Sequence, residues 1–212
     1  YPTHIVLEIG ADRPGDIKSI TSWIKPDITV VTQFGQVPVH IEFFPDREAI
    51  VEEKGYLVSA LKESGLFIYN ADDHDAQNLL GKTNAQKMSI GIHEKADVKA
   101  SGVKLYGKPL KGTEAMITVG TDKEHLVLPE VVGRSPIYCA LPALAVASHL
   151  GITLPIACAS LRDEAKPKGR MRLLKGVKNT TVIDDTYNSS PKAVLHALKN
   201  LEKIEVFNLG TG

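Results

Sequence analysis

The 212-residue sequence holds only two cysteines, Cys139 and Cys158, 19 positions apart, with no CxxC pair and no histidine cluster near them. That excludes a disulfide framework and a cysteine-based zinc site, and it suits a reducing compartment. Net charge is missing as well, since 25 Lys and Arg balance 25 Asp and Glu. A neutral chain lacks the basic surface that broad nucleic-acid binding needs. No apolar run approaches the roughly 18 residues of a membrane span, so no spanning helix is expected. Repeats and low-complexity tracts are absent too. With 43% hydrophobic residues and 17 glycines the composition is that of a globular domain, not of a disordered, collagen-like or coiled-coil chain.

The chain begins at Tyr1 without a basic-then-apolar leader and ends at Gly212 directly after an apolar run. Both ends read as cut. The expectation is a fragment of a longer cytoplasmic protein, monomeric, without nucleic-acid partner or membrane span, and inactive by itself.

Short β-branched runs alternate with helical patterns through the first half. Strands are expected at 4–9, 28–32, 66–70 and 87–92, and helices at 16–24, 47–64 and 76–80. Such alternation implies βαβ units in an α/β fold with a mostly parallel sheet flanked by helices. Residues 97–129 change character: 98–106 and 115–119 alternate weakly, and 120–124 with 125–128 reads as a hairpin, together an antiparallel edge or flap. A buried apolar helix is expected over 137–150, kinked at Pro142 or starting near Leu141, because an internal proline costs about 3 kcal/mol. Another follows at 154–162. The charged stretch Lys166-Pro167-Lys168-Gly169 reads as a linker, after which a strand at 180–183, a helix at 190–203 and a strand at 204–209 begin a second α/β unit. The expected domains are therefore 1–166 and 167–212.

Lys54 is the most informative single residue. On the 47–64 helix it lies four after Ile50 and three before Leu57, on the centre line of an apolar stripe completed by Val51, Val58 and Leu61. Desolvation there lowers an amine's pKa and frees the neutral form. A neutral amine can capture carbon dioxide as a carbamate, which turns a cation into an anionic metal ligand. The alternative is a lysine that snorkels to water. Glu8, at the carboxyl end of the first strand, and His40, after the second, sit where doubly wound sheets form their ligand crevice, and could hold Mg²⁺ near phosphates. The Gly81-Lys82-Thr83 triplet is not a phosphate loop: the pattern needs Gly at 76, which is Ala76, and a preceding strand. Asp184-Asp185-Thr186-Tyr187-Asn188 follows a strand and carries more polar chemistry than the next helix cap requires. Arg170 and Arg172 are cations placed to reach an anion.

These segments resemble the Mur ligase family. The resemblance is carried by Leu7-Glu8-Ile9-Gly10 with Arg13-Pro14-Gly15-Asp16-Ile17, Val39-His40-Ile41-Glu42, Glu53-Lys54-Gly55, Asn70-Ala71-Asp72-Asp73, Gly169-Arg170-Met171-Arg172 and Ile183-Asp184-Asp185-Thr186-Tyr187-Asn188. It implies the family's central ATP-binding domain, lacking its N-terminal part and phosphate loop, followed by the start of a Rossmann-like C-terminal domain. It also implies an ATP-dependent amide ligase of peptidoglycan synthesis acting through an acyl phosphate. The 184–188 stretch points to the branch that adds D-alanyl-D-alanine to a UDP-MurNAc-tripeptide. A diaminopimelate- or lysine-adding ligase and a non-catalytic binding paralogue stay open.

By the same resemblance Glu8, His40 and a carbamylated Lys54 would serve two Mg²⁺ ions. Arg170 would contact phosphate, Asp185 would hold the ribose, and Tyr187 and Asn188 would face the substrate. Where the family reads adenine with Gly-x-His-Asn-x-x-Asn, this chain has Gly133-Arg134-Ser135-Pro136-Ile137-Tyr138-Cys139, so adenine recognition uses other contacts or is weakened. Residues 206–212 do not follow the family pattern.

Overall fold

The structure is a computed structural model that describes residues 2–34, 41–164, 166–187, 194, 195, 197–202 and 204. The chain divides into two compact units, Tyr1–Ser89 and Ile90–Gly212.

In the first unit the order is α1 (Asp16–Thr21), β1 (Ile28–Val31), α2 (Arg47–Ser59), β2 (Leu66–Asn70) and α3 (His74–Asn78), with β3 (Gln86–Gly91) running across the division. β1 pairs with β2 in parallel, Ile28 opposite Leu66 through Val31 opposite Tyr69. The parallel pair leaves Leu66, Phe67 and Ile68 with no exposed surface, as expected of a strand covered on both faces. Val31, Phe34, Phe44, Ile50, Val58, Leu61, Phe67 and Leu79 share one core. Helix α2 starts where the Asp46 side chain accepts the amide of Ala49 at 2.8 Å, a cap that satisfies one orphan donor of its first turn. It stops at Ser59, five residues before the end expected from the sequence.

The second unit continues with β4 (Val98–Tyr106), β5 (Gly112–Val119), β6 (Asp122–Pro129), α4 (Ser135–His149), α5 (Leu154–Asp163), β7 (Arg172–Lys175) and β8 (Thr181–Asp184). The six-stranded sheet has the order β1-β2-β3-β4-β5-β6. β3 and β4 are parallel, whereas β4–β5 and β5–β6 are antiparallel. The α/β class with a parallel sheet and an antiparallel extension over 97–129 is as the sequence indicates. Helix α4 lies on β4 and β5, and α5 on β6. β7 and β8 form a separate antiparallel pair.

Four further expectations need correction. Residues 4–9 form no strand; Ile5, Val6 and Leu7 are exposed, with no regular structure. A strand exists only where a neighbour takes up its N–H and C=O groups, and among the described residues none pairs with this run. The helix expected over 16–24 ends at Thr21. Helix α4 is continuous from Ser135 through Pro142 instead of starting near Leu141. Ile137, Leu141, Leu144 and Ala145 are at most 1% exposed; at about 2 kcal/mol for each large side chain, that burial outweighs the proline's lost hydrogen bond. Ile204, expected to open a strand, is helical, and the remainder of 204–209 lies outside the described residues. Both cysteines are free.

Candidate functional site

The first candidate site grows from one turn of α2. Glu53 is buried at 5% exposure, and a buried carboxylate needs donors. They come from the turn that starts α1: Oε2 accepts the amide of Gly15 at 2.9 Å, and Oε1 accepts those of Ile17 and Lys18 at 2.7 and 3.1 Å. Asp16 folds the same turn from the other side, accepting the amides of Asp12 and Arg13 through Oδ2. Gly15 adopts φ 95, where a side chain would be strained. Two carboxylates thus organise the Arg13–Asp16 segment. The sequence reading quoted Glu53 but assigned it no role; the available signal was its place three residues after Ile50, on the flank of the apolar stripe.

Lys54 is half-buried rather than central to a sealed stripe. Its Nζ lies 5.0 Å from the centre of the Phe34 ring. Burial holds its pKa below the ordinary lysine value of 10.5, and the charge of Asp73 pulls weakly the other way. Asp73 is itself committed: Oδ2 accepts the Phe34 amide at 2.8 Å, while Oδ1 caps α3 through the amides of Asp75 and Ala76. The segment after β1 and the start of α3 are therefore tied together, with the lysine head against the Phe34 ring. Gly55 permits a close crossing, because a Cβ there would lie 2.6 Å from the Lys82 side chain. Lys82 pairs with Glu52 at 2.6 Å, which occupies the ammonium of the Gly81-Lys82-Thr83 triplet.

Of the other expected ligands, Glu8 is exposed on the unpaired segment, and His40 lies outside the described residues. Among the described residues no group of three or more His, Cys, Asp or Glu converges to hold an ion. Magnesium does not require such a cage, since one or two carboxylates and the substrate's phosphates commonly suffice. The exposed carboxylate of Glu8 is compatible with that mode of binding, whereas the amine of Lys54 would have to become an oxygen ligand to join it.

The second candidate site is a turn in the second unit. Gly169 has φ 69, and its amide donates to Asp184 Oδ2 at 3.0 Å. The Met171 amide donates to Asp185 Oδ1 at 3.1 Å, and the Tyr187 amide returns to the Gly169 carbonyl at 3.0 Å. The hydroxyl of Thr186 holds the Asp184 carboxyl below the usual range, with smaller help from the Gly169 amide. Arg170 lies over the Tyr187 ring, 4.3 Å from its centre. Arg172 points elsewhere, with Nη2 3.4 Å from Glu130 and Nε buried without a partner among the described residues. Asp185 also borders a cavity of about 290 Å³ walled by Leu110, Ile183, Val194, Leu198 and Ile204. Asn188 lies outside the described residues. Helix α4, where the family's adenine motif would fall, begins at Ser135, and its N-cap residue Arg134 makes no side-chain cap.

Residues 2–147 match the family model of the Mur ligase middle domain, and the chain belongs to that family. Within it, the chain is 27% identical over 204 residues to the UDP-N-acetylmuramoyl-tripeptide–D-alanyl-D-alanine ligase of Escherichia coli K12, covering 95% of this chain and 44% of that protein. It is 30% identical over 202 residues to the enzyme of the same name from Mycobacterium tuberculosis H37Rv, covering 93% and 38%. The solved structure of MurF ligase from Thermotoga maritima in complex with ADP superposes with a TM-score of 0.77 at 26% identity, over 90% of this chain and 42% of that one. A MurF structure from Acinetobacter baumannii shares the fold with a TM-score of 0.80 at 24% identity, over 92% and 41%. The chain thus spans about two-fifths of the length of these relatives. No helix of the described residues is long and apolar enough to cross a membrane.

Proposed function

We propose that this chain is the central part of an ATP-dependent amide ligase that joins D-alanyl-D-alanine to a UDP-MurNAc-tripeptide through an acyl phosphate. The observation that carries the reading is the similarity, along 93–97% of the chain, to ligases that bear that name in separate bacteria. The ADP in the Thermotoga maritima relative supports a nucleotide site of the same kind. We assign 1–166 to the central domain and 167–212 to the start of a C-terminal domain, with the separate β7–β8 sheet in support.

Phosphoryl and acyl transfer between anions depends chiefly on positioning and on neutralising charge. Bound Mg²⁺ would supply part of that neutralisation, with Glu8, His40 and Lys54 as the residues to hold it. Lys54 suits this role as a carbamate, because its half-buried amine gives up its proton more readily than an ordinary lysine. Arg170 can donate a forked pair of hydrogen bonds to a phosphate or carboxylate. Asp185, held by the Met171 amide, would receive the ribose, and Tyr187 with Asn188 would border the peptide substrate.

The test uses the gene product that contains this sequence, supplied with ATP, Mg²⁺, UDP-MurNAc-tripeptide and D-alanyl-D-alanine. Phosphate release should depend on the dipeptide. Lys54→Ala should lose at least about 100-fold of the rate and regain part of it with added short carboxylic acids, which stand in for the carbamate oxygens. Release driven instead by diaminopimelate or lysine would move the chain to a sister branch. No release with any amine would leave a binding role alone.

A further inference from the structure

We propose that Tyr187 is a positioning residue for Arg170. Its ring supports the guanidinium over the 169–171 turn, so that the arginine's N–H donors are presented as a set to an anionic group of the substrate. The inference rests on the ligase reading only for the identity of that anion, a phosphate or carboxylate; the stacked pair itself does not depend on it.

Arg170 and Tyr187 are 17 positions apart in sequence, yet the fold places the guanidinium carbon over the ring, 4.3 Å from its centre. The Tyr187 amide bonds to the carbonyl of Gly169, the residue just before Arg170. The amides on either side of Arg170, those of Gly169 and Met171, are taken by Asp184 and Asp185. The fit is tight. A Cβ on Gly169 would lie 2.8 Å from the Tyr187 nitrogen and 3.1 Å from its Cβ. At this position φ is 69, where only glycine is at ease. The turn therefore brings the arginine and the ring together before any ligand arrives.

The stacking matters because of what the arginine otherwise lacks. Arg170 is exposed, and no carboxylate among the described residues pairs with its guanidinium. A long side chain in that setting samples many rotamers, and binding an anion would have to order it. A guanidinium stacked on an aromatic face keeps its in-plane donors clear for a planar oxyanion. Tyr187 remains 62% exposed, so the pair lies at the surface, open to a ligand. A ring spent on orienting the arginine is a different role from contact with the peptide substrate, and the two roles separate by experiment.

In the 212-residue chain, NMR of the Arg170 side chain should show its δ-methylene protons shifted upfield by the ring current. Tyr187→Phe, which retains the ring face, should keep the shift, and Tyr187→Leu should abolish it. Coil-like Arg170 shifts in the unmutated chain, or shifts unchanged in Tyr187→Leu, would overturn the proposal. In the gene product containing this sequence, Tyr187→Leu should raise KM for ATP or for the UDP-linked peptide about two- to five-fold, as an exposed cation–π contact allows. Tyr187→Phe should restore most of the loss, and Tyr187→Leu should add nothing in an Arg170→Ala background. A leucine effect that persists undiminished without Arg170 would mean that the tyrosine acts on substrate directly, against the proposal. If no amine supports ligation, the ligase reading fails, and the NMR comparison still decides the positioning.

Discussion

Lys54 and Arg170 are both cations at candidate sites, but the molecule builds their surroundings by opposite means. Lys54 sits on a capped 13-residue helix, half-buried, its head against an aromatic ring and the charge of Asp73. Arg170 sits on a turn, exposed, with its neighbours' amides tied to two carboxylates. The contrast follows from the chemistry of the two groups. An ammonium changes its proton affinity when water is withdrawn, so burial is a way to tune it. A guanidinium remains charged wherever it is placed, so nothing is gained by burying it, and only its direction needs control. One site sets a proton equilibrium and the other sets an orientation.

That division predicts where each region breaks. Glu53→Ala, which removes the acceptor of three amides below α2, should cost about 3 kcal/mol in denaturant unfolding, since orphaned buried donors cost roughly 1–3 kcal/mol each and water recovers part. A loss under about 0.5 kcal/mol would place Glu53 among ordinary surface residues. Gly169→Ala should cost about 1–2 kcal/mol from the left-handed backbone alone and should also displace Tyr187. Gly10→Ala, with nothing within 4 Å of the added carbon, is the control and should be neutral or slightly stabilising. Asp46→Ala should cost about 1 kcal/mol as a lost helix cap. Lys54→Met should have a small effect of the opposite sign. With the folded pKa below the unfolded one, the unfolded chain binds more protons between the two values, so stability rises with pH across that window. The ammonium therefore burdens the fold at neutral pH, and methionine should raise Tm by under about 2 °C there, a gain that disappears above the unfolded pKa.

The sequence made some of this plain and hid the rest for identifiable reasons. β2 and β4 have the bounds read from the sequence because both combine β-branched or aromatic residues with clear edges, an Asn and a Gly-Lys-Pro turn. Lys54 was legible because one helix contains the whole argument. Glu53 was not, because its donors come from 35–38 positions earlier in the chain, a distance over which periodicity says nothing. The run at 4–9 has the composition of a strand, yet pairing is a property of two segments, and composition supplies only one. Arg172–Lys175 escaped notice because four residues with two charged ends show neither period, and β7 exists through its register with β8. Pro142 misled in the other direction: a local penalty was visible, whereas the burial that overrides it was not. The Arg170–Tyr187 pair shows the same limit, as two ordinary surface residues become a unit only once the turn has closed.

The central claim is that the fold withdraws water from the Lys54 amine and so lowers its pKa below that of an ordinary lysine. The most direct measurement is the titration of the Lys54 ε-carbon by NMR in the folded 212-residue chain, with Asp73→Asn as a companion. A midpoint below 10.5, displaced further downward when the Asp73 charge is removed, is the predicted result. A midpoint at or above 10.5 would show the amine to be an ordinary solvated or ion-paired lysine and would contradict the account.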